Sequence, residues 1–455
     1  MNEIFLVAVE FPSGTTWLIN FFLEVGVMVN LEGRGNNTWN FDVARNSFVF
    51  NEEKEGWRRH LPILSAKKEF TFRNDAVVRF SHEYPNVENI DKKIILVVRD
   101  GRDAIYSQYK RFSSSWKDFP EMLGDLTTPI YLRPYTFLPR ASYPETWALY
   151  NYLWQHSVEK KNLLIIKFED LKTDPSTEVK KALDFIGVKR TDEEIQRGIV
   201  GSSFDNAKKA EEEYKKNDPL KKYATVNRKG KPNEWKEIYT SSELKWFNGF
   251  PNIVLGQFGY EPISAIRVDN SLSIKDVNVL DIKDFKIGLK KAGNNISEIL
   301  VEGKKILCLY WMMAICDERR MEELNRALPV FGALLRASNL ISKTPYFQME
   351  IGIALARFGA RRQSLLVIEN IKEYPETVPY LMERGRASSL NFRILRARKD
   401  LLRAGHKDWL RVALLEKLDI KGKKQYLKGL VSHMPKFIQR SFYRSLRKIR
   451  QIYNM

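Results

Sequence analysis

The sequence predicts an α/β domain on a central parallel sheet flanked by helices, followed by an all-α region. Two observations carry this reading. Up to about Pro262, β-rich apolar runs alternate with stretches of helical spacing. That alternation is the pattern of a parallel sheet covered on both faces. From about Ser264 the texture changes to a polar stretch, then to long runs of Leu, Ala, Arg and Glu at helical spacing. A chain of 455 residues has room for two or three domains with their own cores. The boundaries that follow are 1–262 for the α/β domain, 263–285 for a linker, 286–420 for a helical domain and 421–455 for a basic tail.

The elements can be taken in order. IFLVAV (4–9) is a short strand pattern that stops at Pro12-Ser13-Gly14, and TTWLINFFLEVGV continues with helical spacing. KKIILVVRD (92–100) reads as a buried strand, followed by the helical AIYSQYKRF. NLLIIKFEDL (162–171) repeats the strand-to-helix logic. Trp147 and Trp154 lie seven apart on one helical face, where core packing is the plainer reading and acceptor binding the alternative. The later helical stretches read as hairpins. The segment 354–375 resembles a tetratricopeptide unit, without a firm 34-residue period.

Composition narrows the function. Two cysteines, Cys308 and Cys316, exclude a disulfide scaffold and a multi-cysteine zinc module, and their apolar setting predicts buried thiols. Five histidines leave little material for a metal site, and none is expected. The apolar run Ile306–Ile315 is far shorter than the roughly 20 residues of a membrane span. The N-terminus lacks a basic leader and reads as a first strand, which predicts a cytoplasmic protein. The net charge is +19, but ten Lys or Arg and no acid fall in 421–455, leaving +9 for the other 420 residues. This distribution, with no nucleic-acid-binding module, argues against a nucleic-acid partner. After Pro435, Ile438, Phe442, Leu446, Ile449 and Tyr453 recur every three or four residues among Lys436, Arg440, Arg444, Arg447, Lys448 and Arg450. This basic amphipathic pattern over 436–455 suits either an anionic membrane surface or docking on preceding helices.

Three motifs point to phosphate. Ser13 and Gly14 form a tight turn ahead of a helix, and such a turn aims backbone N–H groups and the helix dipole at one spot. Thr15 and Thr16 add hydroxyls. GxxxxGK[ST] is absent, so the turn is not a Walker A loop. Arg99 ends a buried strand and Ser107 lies eight residues on, two turns into the next helix, where the two can share one phosphate. Arg228-Lys229-Gly230 is a basic glycine loop followed by Trp235. Taken singly, each has a bland reading: a small-residue turn, a solvated charged turn and a surface hairpin.

Together the three resemble the PAPS-dependent sulfotransferase family, PAPS being 3′-phosphoadenosine 5′-phosphosulfate. FPSGTTW (11–17) is similar to the family's 5′-phosphosulfate loop, Arg99 and Ser107 to its 3′-phosphate pair, and Arg228-Lys229-Gly230 to its late 3′-phosphate loop. LIIKFEDLKTDP (164–175) fits the family's strand-to-helix signature, with Phe168 where Tyr is usual. SSFDNAKK (202–209) fits the segment beside the adenine, giving Ser202 and Phe204, and Trp17 matches the Trp that stacks on the base. The resemblance covers about residues 1–262. It implies a P-loop-like α/β fold and metal-free, in-line transfer of a sulfuryl group from PAPS to a hydroxyl or amine, leaving adenosine 3′,5′-bisphosphate. A general base is then needed, and His82 in VVRFSHEYP matches the family's context for it, with Glu83 as runner-up.

The chain departs from the family at two lysines. Pro12 directly precedes Ser13 where the loop usually carries Lys, and Phe80 stands where a second Lys is usual. Arg79 is the candidate replacement at the leaving phosphate, although in a regular strand it faces opposite to Phe80. Two functions stay open at this level. One is an active transferase whose acceptor is a glycan, a lipid-linked sugar or a small metabolite. The other is a nucleotide-binding or scaffolding protein that kept the fold and lost the lysine chemistry.

Overall fold

The computed structural model describes residues 3–31, 38–51, 57, 58, 60–73, 75–112, 115–125, 141–217, 230–264, 280–316, 320–341 and 345–405. Arg228, Lys229 and the tail 421–455, with its amphipathic 436–455, lie outside them. The described residues fall into two compact units. One takes in 3–264 and 315–337, the other 280–314 and 338–405.

The first unit opens with β1 (Glu3–Val7), α1 (Thr15–Glu24), β2 (Met28–Leu31), β3 (Trp39–Asp42), β4 (Ser47–Phe50), α2 (Pro62–Ala66), β5 (Glu69–Phe70), β6 (Val77–Ser81) and β7 (Lys93–Val98). Next come α3 (Gly101–Arg111), α4 (Phe119–Gly124), α5 (Tyr143–Ser157), β8 (Leu163–Lys167), α6 (Phe168–Thr173), α7 (Pro175–Ile186), α8 (Asp192–Gly201), α9 (Phe204–Asn217) and α10 (Trp235–Ile238). Five strands form one parallel sheet in the order β2-β6-β1-β7-β8. The expected strands within 4–9 and 92–100 are β1 and β7, and the expected strand-to-helix stretch 162–171 is β8 running into α6. Central β1 is apolar and buried beyond Glu3, as a strand covered on both faces must be. Strands β6 and β7 flank it on opposite sides, so the chain reverses its winding there, and such a switch point opens a crevice at the carboxyl ends of the strands.

A second sheet, β3-β4-β5, is antiparallel and lies within 39–70. Trp39 anchors it against Phe50, Phe70 and Phe72, with ring centroids 4.8–5.6 Å apart. Trp147 and Trp154 are fully buried on α5, so core packing is what they do.

Further along the chain come α11 (Ser241–Leu244), α12 (Phe250–Gln257), α13 (Ile282–Ala292), α14 (Ile296–Ile315), α15 (Met321–Asn325) and α16 (Leu328–Ile341). The second unit is helical and ends with α17 (Pro345–Phe358), α18 (Arg361–Glu369), α19 (Val378–Leu390) and α20 (Ile394–Arg403). They pack as two hairpins, α17 with α18 and α19 with α20, and α17 also meets α19. The first helix of each hairpin starts at 345 and 378 and the second at 361 and 394, an offset of 33 residues in both cases. The sequence repeats at the same offset: Met349-Glu350-x-Gly352-x-Ala354 and Met382-Glu383-x-Gly385-x-Ala387. Each glycine is where its hairpin closes. A Cβ on Gly352 would stand 2.6 Å from Ile368, and one on Gly385 2.8 Å from Leu401, again 33 residues on. The period hides in the sequence because only the small and buried positions keep it. Cys308 and Cys316 are buried free thiols, and burial pushes the Cys308 thiol up to about 12. Among the described residues no helix is long and apolar enough to cross a membrane.

Candidate active site

Parallel pairing brings the predicted residues to one edge. Val7 of β1 pairs with Ser81 of β6, and β1 pairs on its other side with β7. The segments leaving these strands therefore emerge side by side: the Pro12-Ser13-Gly14 turn in the middle, His82 on one flank and Arg99 on the other. Strand β8 lies next to β7, with Lys167 opposite Val98, so Phe168 emerges beside Arg99.

The turn has the features of an anion cradle. Gly14 caps α1 in the left-handed region at φ 89°, with no side-chain cap and no acid in the first turn. The exposed helix dipole and unclaimed N–H groups favour a negative ligand. Ser13 is 2% exposed, and its hydroxyl has no hydrogen-bond partner among the described residues. A buried hydroxyl left unbonded costs about 1–3 kcal/mol, which a bound oxyanion would recover. Thr15 is buried, and Thr16 and Trp17 are half-buried on the same turn. The Trp17 ring lies parallel to Phe21 at 6.1 Å.

Arg99 is buried against this turn. Its Nη1 donates to the Pro12 carbonyl and its Nη2 to the Lys231 carbonyl, both at 3.4 Å. Its guanidinium lies 4.7 Å from the centroid of the Phe168 ring, and that ring rests against Gly14. The carbonyl of Arg99 accepts from the Trp147 indole at 3.1 Å. The chain thus holds Arg99 between the two expected phosphate loops. Ser107 is half-buried on α3. Gly230, at φ 57°, lies against the Phe204 ring, which joins the late loop to the start of α9. Ser202 is buried, and its hydroxyl accepts from the Asn20 side chain at 3.0 Å, tying α8 to α1.

On the other flank His82 is half-buried, with Nδ1 2.7 Å from the Ala8 carbonyl. A carbonyl can only accept, so Nδ1 carries the proton and the neutral ring keeps its lone pair on Nε2. That is the tautomer a general base needs. The Glu83 carbonyl behind it accepts from Tyr150 Oη at 3.0 Å and from the Trp154 indole at 3.3 Å. The tryptophans of α5 therefore brace the backbone at both site flanks.

Arg79 requires a correction. It pairs with Glu3 at the start of β1 and lies over Phe5, 5.5 Å from the ring centroid. This is the opposite end of the strand from the turn. Strand parity sets its direction, since Arg79 and Phe5 are register partners whose side chains share a face. Arg79 is withdrawn as the lysine replacement. Arg79→Ala is expected to leave turnover unchanged and to cost at most about 1 kcal/mol of stability, as for other solvent-facing pairs. Side-by-side turnover and thermal melts check this.

The charged run after β7 is also unlike a solvated turn. Asp100 and Arg102 form a buried bidentate pair, with the Arg102 Nε and Nη2 atoms at 2.9 and 2.5 Å from the two carboxylate oxygens. Glu169 accepts from the Asp100 N–H at 3.2 Å and from Tyr260 Oη at 2.8 Å, and burial raises its pKa. Asp103, Glu169 and Asn20 escaped sequence reasoning. The available signal was the position of the run, four charges in five residues directly after a strand that is apolar beyond Lys93. No group of three or more potential metal ligands occurs among the described residues.

A parallel sheet with a glycine turn ahead of a helix, a histidine on one flank and a buried arginine on the other is an arrangement suited to group transfer from a nucleotide. Comparison with known proteins makes the class particular. The family model described as "Sulfotransferase domain" matches residues 2–250. Mouse (Mus musculus) sulfotransferase 2A6 is 25% identical over 281 residues, covering 56% of this chain and 87% of its own length. Flavonol 4′-sulfotransferase of Flaveria chlorifolia is 33% identical over 98 residues, 19% of this chain and 30% of its own. Among solved structures, mouse sulfotransferase SULT7A1 complexed with PAP has a TM-score of 0.34 at 20% identity, covering 54% of this chain and 81% of that one. Retinol dehydratase in complex with androsterone and inactive cofactor PAP has a TM-score of 0.35 at 17% identity, covering 59% and 83%. The chain belongs to the sulfotransferase domain family.

Proposed function

We propose that the chain moves the sulfuryl group of PAPS onto a hydroxyl of its acceptor, with His82 as general base. The observation that carries this is the Nδ1–Ala8 bond. It fixes the base tautomer at the edge that also holds the Ser13–Gly14 turn. The acceptor oxygen bonds to sulfur as the bond from sulfur to the phosphate oxygen breaks. The acceptor proton passes to His82 Nε2, and adenosine 3′,5′-bisphosphate departs. Ser13, Thr15, Thr16 and the N-terminal amides of α1 would hold the 5′ end of the donor. Trp17, Ser202 and Phe204 would flank its base, and Arg99, Ser107, Arg228, Lys229 and Gly230 its 3′-phosphate. Arg99, bonded to the Pro12 carbonyl, is a cation at the turn and bears on the missing loop lysine. This favours catalysis over the scaffold reading.

A glycan or lipid-linked sugar is one option for the acceptor, and the flavonol enzymes among the relatives make a small hydroxylated molecule the other. Sulfate-labelled PAPS added to extract with the purified chain tests both, with the label followed into lipid, glycan and small-molecule fractions. Label in the first two supports the sugar class, and label only in the third supports the small molecule. No transfer, together with tight bisphosphate binding, would favour the scaffold.

A further inference from the structure

Of the four charges that follow β7, Asp103 reaches furthest along the chain. Its side chain is 2% exposed on the first turn of α3. One carboxylate oxygen accepts from the Asn233 N–H at 2.7 Å and the other from the Trp235 N–H at 2.8 Å, partners 130 and 132 residues away. Burial pushes its carboxyl up to about 6, against the pull of Arg99 and of the two N–H groups. The segment it holds is unusual backbone: Asn233 is left-handed at φ 59°, and Trp235 opens α10. Asp103 therefore caps α10 from another helix, since the Glu234 side chain does not. The Trp235 ring is also held, 3.5 Å from the Arg102 guanidinium, and the Lys231 carbonyl receives Arg99. Residues 231–235 are thus fastened to 99–103 at several points, immediately after Arg228-Lys229-Gly230.

We propose that Asp103 is the positioning residue for the donor's 3′-phosphate site. Its carboxylate anchors residues 233–235, which closely follow Gly230, onto the helix that also carries Ser107. This rests on the PAPS reading above. A charged acceptor shared by two backbone donors is a strong tether. A segment held in advance beside Gly230 avoids part of the entropic loss when the nucleotide binds. The role is specific to one end of the ligand, because the Asp103 carboxylate bonds to the Asn233 and Trp235 amides and not to the turn at Ser13 and Gly14.

The test is calorimetry of the full chain with adenosine 3′,5′-bisphosphate and with 5′-AMP. Asp103→Asn keeps the shape and one acceptor but turns an NH2 group toward one of the two amides. Losing one charged hydrogen bond predicts about tenfold or more weaker bisphosphate binding. Affinity for 5′-AMP should stay at the wild-type value. In turnover assays the KM for PAPS should rise with kcat nearly unchanged. A variant that loses both ligands equally, or that keeps the wild-type preference, overturns the proposal while the PAPS reading stands. A wild-type chain that does not prefer the bisphosphate removes that reading and this proposal together. Should Asp103→Asn fail to fold, hydrogen exchange of the wild type decides: slow exchange at the Asn233 and Trp235 amides supports the tether, and fast exchange at both overturns it.

Discussion

His82→Ala is expected to lower sulfuryl transfer by about a hundred- to ten-thousand-fold, the range for loss of a positioned general base. Affinity for adenosine 3′,5′-bisphosphate should stay at the wild-type value. The separation follows from geometry. His82 hangs from β6 and bonds to Ala8, whereas the groups proposed to hold the donor sit on the α1 turn and beyond β7. A group that acts only as the acceptor loses its proton lowers kcat and leaves donor binding alone. His82→Gln is the sharper variant, since its amide can still donate to the Ala8 carbonyl but supplies no base. Both should be inactive. Activity retained by Gln but not Ala would make the Ala8 contact the function and remove the base assignment, and Glu83→Gln would be the next variant to assay.

The sheet was legible because a buried parallel strand has to be apolar nearly throughout, so β1, β7 and β8 stand out from their surroundings. The turn was legible because few residues other than glycine accept the conformation of Gly14. The contacts that fasten the site were not. Asp103 meets Asn233 and Trp235 across 130 residues of chain, and nothing local to either segment marks the partner. The tryptophans of α5 read as core and are core, yet their indole N–H groups also fix the Arg99 and Glu83 carbonyls, and no periodicity reveals that second use. Arg79 failed for a different reason. Proximity in sequence to Phe80 suggested a substitute, but a strand turns adjacent side chains to opposite faces, and that parity decided the outcome. The antiparallel β3-β4-β5 sheet went unseen because its strands are two to four residues long, too short to show alternation.

Gly14→Ala should abolish useful nucleotide binding although it adds one methyl group. Two costs combine. At φ 89° an L-residue is strained by about 1–2 kcal/mol. The new Cβ would also stand 2.5 Å from Cδ2 of Phe168, nearer than real contacts allow, and a tight 3.2 Å from Cε2. Overpacking of this kind typically costs about 1–3 kcal/mol. The ring has little freedom to withdraw, because Arg99 lies over it and is itself bonded to the Pro12 and Lys231 carbonyls. Displacing Phe168 therefore disturbs Arg99, proposed above for the 3′-phosphate, as well as the turn proposed for the 5′ end. If the combined 2–5 kcal/mol falls on the binding-competent conformation, affinity drops by about thirty- to several-thousand-fold. The double variant Gly14→Ala with Phe168→Ala separates the two costs. Removing the ring should recover the part due to the clash and leave the part due to the backbone, so its bisphosphate affinity should lie between those of wild type and Gly14→Ala. Calorimetry showing wild-type affinity for Gly14→Ala, with the chain folded by circular dichroism, would mean that the turn is not the donor's 5′ site.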